Sequence, residues 1–243
     1  MTTTRPGTPP AHFPADPHCF QFDASVAEIF EDMASRSIPN FHTAHLAHVS
    51  MAQHLLDLPE SRVLDLGASR GTFLRYAMAA GGKASYTAID NSPAMCEHLR
   101  RDFPTVNVLH MSATDIAFDD FVLFHKFDVI CCNYVLQFLP RGDQVRVLTS
   151  LVKMLTPGGM LFLGHKEAVP EESPLGILAN REYIKFRLRN GYSMAEIDAK
   201  TKALKGSMFP MKHSLVRSIL DASCSDVFET TRFMMFSTLA ARK

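Results

Sequence analysis

The run Val63-Leu64-Asp65-Leu66-Gly67-Ala68-Ser69-Arg70-Gly71, followed by Tyr86-Thr87-Ala88-Ile89-Asp90-Asn91, reads as a strand, a glycine turn, a helix and a second strand that ends in an acid. Glycine has no Cβ, so Gly67 and Gly71 allow a sharp turn and a close approach to a ligand, and the helix that follows presents free N–H groups. Asp90 then stands where a carboxylate accepts both hydroxyls of a ribose. The segment Gly67-Ala68-Ser69-Arg70-Gly71 lacks the middle glycine that makes room for a pyrophosphate. A single nucleoside without phosphates therefore suits this turn better than a dinucleotide. The competing reading is a glycine turn in an unrelated βαβ unit.

Outward from this motif the chain alternates strands and helices. Strands are expected at 62–66, 84–89, 106–110, 127–132 and 159–164, with helices at 71–80, 93–102 and 142–155, the pattern of a parallel sheet covered on both faces. Leu155-Thr156-Pro157-Gly158-Gly159 stops a helix and turns into the buried strand Met160-Leu161-Phe162-Leu163. A helix at 213–222 precedes two β-rich stretches, 227–234 and 236–242, too close for a crossover and so antiparallel. Upstream, helices are expected at 23–36, capped by Asp23 and closed by Pro39, and at about 43–58. The insertion 167–206, helical near 174–190 and 193–204, is placed as a lid over the strand ends. The division expected is a mobile, proline-rich arm over 1–20, helices covering the site over 21–58, and an α/β domain over 59–243 that contains the lid.

With 243 residues, 47% of them apolar, the chain can bury a full core. No apolar run approaches the roughly 20 residues of a membrane span, and the start shows no secretory signal. Lysine plus arginine and aspartate plus glutamate number 25 each, so no overall basic field gathers nucleic acid. Five cysteines, odd in number and mostly within apolar runs, suit reduced thiols in a cytoplasm. Cys131 and Cys132 point to opposite faces of a strand, which favours packing over metal binding. Histidines 42, 45, 48 and 54 on the second helix step around it by about 60° at each spacing of three, with no acid among them, and read as packing or solvated residues. No metal is expected.

Asp-x-Gly-x-x-x-Gly followed by a strand-end Asp is similar to the S-adenosylmethionine (SAM) site of the class I methyltransferases. The chain further resembles the carboxy-S-adenosyl-L-methionine synthases at Phe22-Asp23, Val26-Ala27-Glu28-Ile29-Phe30, Asp32-Met33, Arg36-Ser37-Ile38-Pro39, Ala88-Ile89-Asp90-Asn91-Ser92-Pro93-Ala94-Met95, Asn133-Tyr134-Val135-Leu136-Gln137-Phe138-Leu139, Pro157-Gly158-Gly159 and Asn190-Gly191-Tyr192-Ser193. The resemblance covers nearly everything after residue 20. It implies a Rossmann-like α/β class I methyltransferase fold, mostly parallel with a final antiparallel strand, and a homodimer. It also implies that Gly67, Ala68 and Ser69 cradle the methionine end of SAM, that Asp90 and Asn91 hold the ribose and adenine side, and that Asn133 reaches the sulfonium. Asp65, Gly71, Phe41, Ser112 and Ala113 complete the expected binding set, and Asn133, Tyr134 and His165 are the candidate catalytic residues.

That family removes a methyl proton from SAM and adds a carboxylate derived from prephenate. Three positions depart from it: Phe41 replaces a tyrosine, Ser112 an aspartate, with Asp115 nearby, and Thr201 the arginine that grips the added carboxylate. A hydroxyl cannot copy a guanidinium's bidentate grip. Lys200 or Lys202 could substitute only as a point charge from a different face of the helix, and both read rather as a solvated face; Arg181, Arg187 and Arg189 are the other cations that can compensate, with Arg187 and Arg189 equally readable as solvent charges on the lid. The leading expectation is therefore chemistry on SAM itself in a closed pocket: cyclisation to azetidine-2-carboxylate with loss of methylthioadenosine. Methyl transfer to a small molecule, carboxy-SAM synthesis with a changed carboxylate grip, and a non-catalytic SAM-binding subunit are the alternatives.

Overall fold

A computed structural model describes residues 22–170 and 172–243; the arm expected over 1–20 lies outside them. Two helices come first, α1 (Ala24–Ser37) and α2 (Phe41–Leu56). Asp23 caps α1 by accepting the Val26 N–H at 3.0 Å, and that bond holds its carboxyl below the usual range. Asn40, with φ 59°, turns the chain so that α2 starts at Phe41, two residues earlier than expected.

The alternating units follow: β1 (Arg62–Leu66), α3 (Thr72–Ala79), β2 (Ser85–Asp90), α4 (Pro93–Asp102), β3 (Asn107–His110), α5 (Ile116–Phe124), β4 (Phe127–Asn133), α6 (Arg141–Met154) and β5 (Leu155–Lys166). Helices α7 (Pro174–Arg189) and α8 (Met194–Leu204) form the insertion, and α9 (His213–Asp221), β6 (Asp226–Phe233) and β7 (Phe236–Arg242) end the chain. The sheet runs β3-β2-β1-β4-β5-β7-β6. β7 lies antiparallel between β5 and β6, and the other pairings are parallel. The strand order reverses between β1 and β4, and in open α/β sheets the crevice at such a reversal receives the ligand.

Strand side chains alternate between two cores. Leu64, Ile130 and Leu161 face α5, α6 and α9, whereas Val63, Val129 and Phe162 face α2, α3 and α4. Cys131 and Cys132 fall in opposite cores, as their adjacency on a strand requires. Among the described residues no helix is long and apolar enough to cross a membrane, and no group of three or more His, Cys, Asp or Glu is placed to hold a metal ion.

Two further elements differ from the sequence expectation. Helix α5 was not anticipated between the third and fourth strands: Ile116-Ala117-Phe118-Asp119-Asp120-Phe121-Val122-Leu123-Phe124 is apolar nearly all round, so no polar stripe marks a helical period. Leu123 and Phe124 remain exposed. β5 begins at Leu155 rather than 159. Thr156 Oγ1 donates to Asp128 Oδ1 at 2.7 Å, and the Gly158 N–H donates to the Lys243 carbonyl, which draws the Pro-Gly-Gly turn into the sheet.

Candidate active site at the strand ends

A cavity of about 640 Å³ opens at the reversal point, between the ends of β1, β2 and β4 and the helices α1, α2, α7 and α8. At the end of β1 the backbone folds back on β2: the N–H groups of Gly67 and Ala68 both donate to the Ile89 carbonyl, at 2.7 and 3.1 Å. Gly67 has φ 67°, and a Cβ there would lie 2.3 Å from Val135 Cγ2, so no side chain fits. Ser69, also left-handed at φ 52°, aims its N–H at Asp90 Oδ2, 2.8 Å away. The Ser92 N–H reaches the other oxygen of Asp90 at 2.9 Å.

Each oxygen of Asp90 thus takes one backbone donor and keeps acceptor capacity for a ligand. Burial nevertheless raises its pKa, outweighing the two N–H groups. Asp65 is buried at the same floor, and desolvation pushes its carboxyl up to about 7. The floor is therefore acidic and partly dehydrated.

Of the expected residues, Phe41, Asp65, Gly67, Ala68, Ser69, Asp90, Asn91, Ser112, Ala113, Asn133 and Tyr134 all line the cavity. Two expected residues do not. A Cβ on Gly71 would strike Phe103 at 2.4 Å, so this glycine serves the packing of α3 on α4 rather than a ligand. His165 points away: buried on the opposite face of β5, it meets His213 Nδ1 through Nε2 at 3.3 Å, and burial lowers its pKa to about 4. Because strand neighbours alternate, the next residue, Lys166, lines the cavity instead. Asp115 does not stand in for an acid at Ser112; it accepts from the Ser112 N–H at 3.3 Å and lies outside the cavity lining.

Tyr134 follows β4 with φ 63° and packs near Phe41 and Phe236, each ring pair 6.3 Å apart. Burial raises its phenol well above the ordinary range, so a neutral ring faces the cavity. Asn133 lines the cavity beside it, and its Oδ1 is buried without a hydrogen-bond partner. That orphaned acceptor, the acid-ended second strand and the glycine cradle together fit the ammonium, ribose and backbone approach of a SAM molecule.

The lid supplies groups of opposite sign. Lys200, read as solvated, is 7% exposed and donates to Ser37 Oγ at 2.7 Å. Arg187, 8% exposed, lies 4.3 Å from the Tyr183 ring, and its Nε has no partner. Both line the cavity, and among the described residues neither forms an ion pair with a carboxylate. Desolvation, reinforced by the charges of Arg187, Arg36 and Lys166, drives the Lys200 amine down to about 7. Thr201 Oγ1 donates to the Ile197 carbonyl of its own helix at 2.7 Å. Lys202, Arg181 and Arg189 are exposed.

This end of the lid is fastened to α1, since Tyr183 donates to the Ser37 carbonyl at 3.0 Å and Tyr192 shares a hydrogen bond with Ser37 Oγ at 3.1 Å. The expectation for Lys200 failed because helical spacing cannot reveal that α1 packs over α8.

A methyltransferase-domain family model matches residues 63–159. The carboxy-S-adenosyl-L-methionine synthase of Actinobacillus succinogenes is 32% identical over 194 residues, covering 78% of each chain. That of Helicobacter hepaticus is 29% identical over 230 residues, covering 92% of this chain and 95% of the relative. Among solved structures, the plantazolicin methyltransferase BpumL in complex with S-adenosylhomocysteine (SAH) has a TM-score of 0.61 at 12% identity, covering 89% of both chains. A Burkholderia thailandensis 1,6-didemethyltoxoflavin-N1-methyltransferase with bound SAH has a TM-score of 0.53 at 16% identity, covering 90% of this chain and 84% of the other. These two likenesses concern the fold.

Proposed function

The chain belongs to the carboxy-S-adenosyl-L-methionine synthase family on the class I methyltransferase fold, and from that premise we propose that SAM itself is the molecule it alters, carboxylated by an anionic donor of the prephenate class that Arg187 and Lys200 hold. It is a SAM-dependent enzyme. One observation carries the finer reading: two buried cations face the cavity without a carboxylate partner among the described residues. An uncompensated buried charge costs several kcal/mol, so a bound anion is the partner that makes such a pair tolerable. The grip of a missing arginine at Thr201 is then supplied from other positions, by Lys200 on the same helix and Arg187 on the preceding one.

In this reaction a methyl C–H bond of SAM breaks, and its proton joins the hydroxide lost from the donor's ring to give water. A C–C bond forms from that methyl carbon to the carbon of the donor's departing carboxylate, and the donor leaves as an aromatic keto acid. No protein base is required. The histidine lining the cavity, His45, suits that economy, because burial lowers its pKa to about 3 and leaves it a weak base. Small molecules are the partners in this reading, a homodimer is the assembly carried over from the resemblance, and the cytoplasm is the compartment that suits the buried free thiols Cys96, Cys131 and Cys132.

A second reading, cyclisation of SAM, is favoured by the buried acceptor of Asn133, which can orient the α-amino nitrogen. That nitrogen attacks the γ-carbon, the C–S bond breaks, methylthioadenosine leaves and the amine yields one proton to water. Mass spectrometry of products from SAM alone and from SAM with prephenate separates the two. A product heavier by one carbon dioxide, formed only with prephenate, supports carboxylation. Methylthioadenosine with azetidine-2-carboxylate from SAM alone replaces it with cyclisation.

A further inference from the structure

Asn133 is held by two histidines from a different part of the chain. Its Nδ2 lies 3.2 Å from His45 Nδ1 and 3.3 Å from His48 Nδ1, so both hydrogens of one amide are engaged by consecutive polar positions of α2. The 60° step between residues three apart on a helix is small enough for both rings to converge on one group. His48 is fully buried, stacks on Phe162 at 4.8 Å, and meets Thr230 Oγ1 through Nε2 at 3.2 Å. Thr230 in turn bonds Thr238 Oγ1 at 2.6 Å, which ties the network to β6 and β7. The far side of the amide is equally constrained, because a Cβ on Gly164 would lie 2.9 Å from Asn133 Oδ1; only glycine leaves the oxygen its place.

We infer that His45 and His48 are positioning residues that fix the amide of Asn133, leaving Oδ1 as an obligate acceptor and making the site select a ligand by the ammonium it donates there. An asparagine free to turn would present either its N–H or its oxygen, and would accept a carboxylate as readily as an amine. With both N–H groups occupied, only a donor is satisfied. For the histidines to accept, each must carry its proton on Nε2, and burial, which lowers both pKa values to about 3, keeps them neutral. This inference rests on SAM lying in the cavity with its methionine arm toward Asn133, but not on which reaction follows.

Calorimetric titration with SAH, with its analogue lacking the α-amino group, and with methylthioadenosine tests it. The wild type binds SAH at least about tenfold more tightly than the analogue, the size of one charge-assisted hydrogen bond. In His48→Leu, a position outside the cavity lining, that ratio falls below about threefold while methylthioadenosine affinity stays within about twofold; His45→Leu lowers the ratio likewise, and His45→Gln and His48→Gln, which restore an acceptor, recover it. A ratio unchanged in the leucine variants, or an equal loss of methylthioadenosine binding, overturns the inference. Failure of the wild type to bind SAH would instead overturn the site reading. Nitrogen-15 spectra of histidine-labelled wild type decide the matter even where a variant does not fold: Nε2–H tautomers at both residues support the inference, and an Nδ1–H tautomer at either contradicts it.

Discussion

From the strand ends two carboxylates, Asp65 and Asp90, face the cavity, whereas from the lid two cations, Arg187 and Lys200, face it from the other side. The difference lies in construction as well as sign. Asp90 is satisfied by the backbone N–H groups of Ser69, in the glycine turn 21 residues before it, and of Ser92, two residues after it, so its geometry is set within one βαβ unit by β1, β2 and that turn. Lys200 and Arg187 are placed by helix packing between distant parts of the chain, through contacts of the lid with Ser37 that span 146 and 163 residues. Acids line the floor and cations line the lid of one cavity, and the proposed pairing of SAM with an anionic donor draws on that polarity.

The largest expected effect breaks the floor alone. Asp90→Ala removes the acceptor of both Ser69 and Ser92 N–H groups and lowers SAH affinity by about a hundredfold or more in calorimetry; affinity within threefold of wild type would sink the assignment. Breaking the lid alone has a smaller and more selective effect. Arg187→Met or Lys200→Met raises the KM for prephenate by about tenfold or more while SAH affinity stays within about twofold. A parallel loss of both would show that the halves are not separate sites.

A change of pH sharpens the contrast further. The Lys200 amine, held near 7, is charged below that pH and neutral above it, so the KM for an anionic donor rises by up to about tenfold per unit above pH 7. The same profile in Lys200→Met should be flat over that range. The smallest effect is on stability. The folded-state pKa of about 7 lies below the ordinary lysine value of 10.5, so the unfolded chain binds more protons between these limits and wild-type stability rises with pH across them. Urea unfolding near neutral pH should therefore find Lys200→Met more stable than wild type by about 1 kcal/mol, with the difference shrinking at higher pH.

The floor could be read from sequence because each of its parts is local: a glycine forced by a left-handed turn, and an acid at a fixed distance along a βαβ unit. The sheet was legible for the same reason, down to the opposed faces of Cys131 and Cys132. What escaped depends on distant partners. His45 and His48 look like packing residues until Asn133, more than 80 positions away, is placed between them. His165 and Lys166 were indistinguishable as cavity residues, since the side of β5 that faces the ligand is fixed by the register with β4 and β7 and not by either side chain. Lys200 gave no signal of burial because its cover comes from α1. Helix α5 lacked the polar stripe that would have announced it.

Titrating prephenate into SAH-saturated protein by calorimetry tests the two-ligand account most directly. The account predicts saturable binding to the wild-type complex and its loss in Lys200→Met with SAH still bound. Absence of binding to the wild-type complex, or equal binding to the variant, would contradict it.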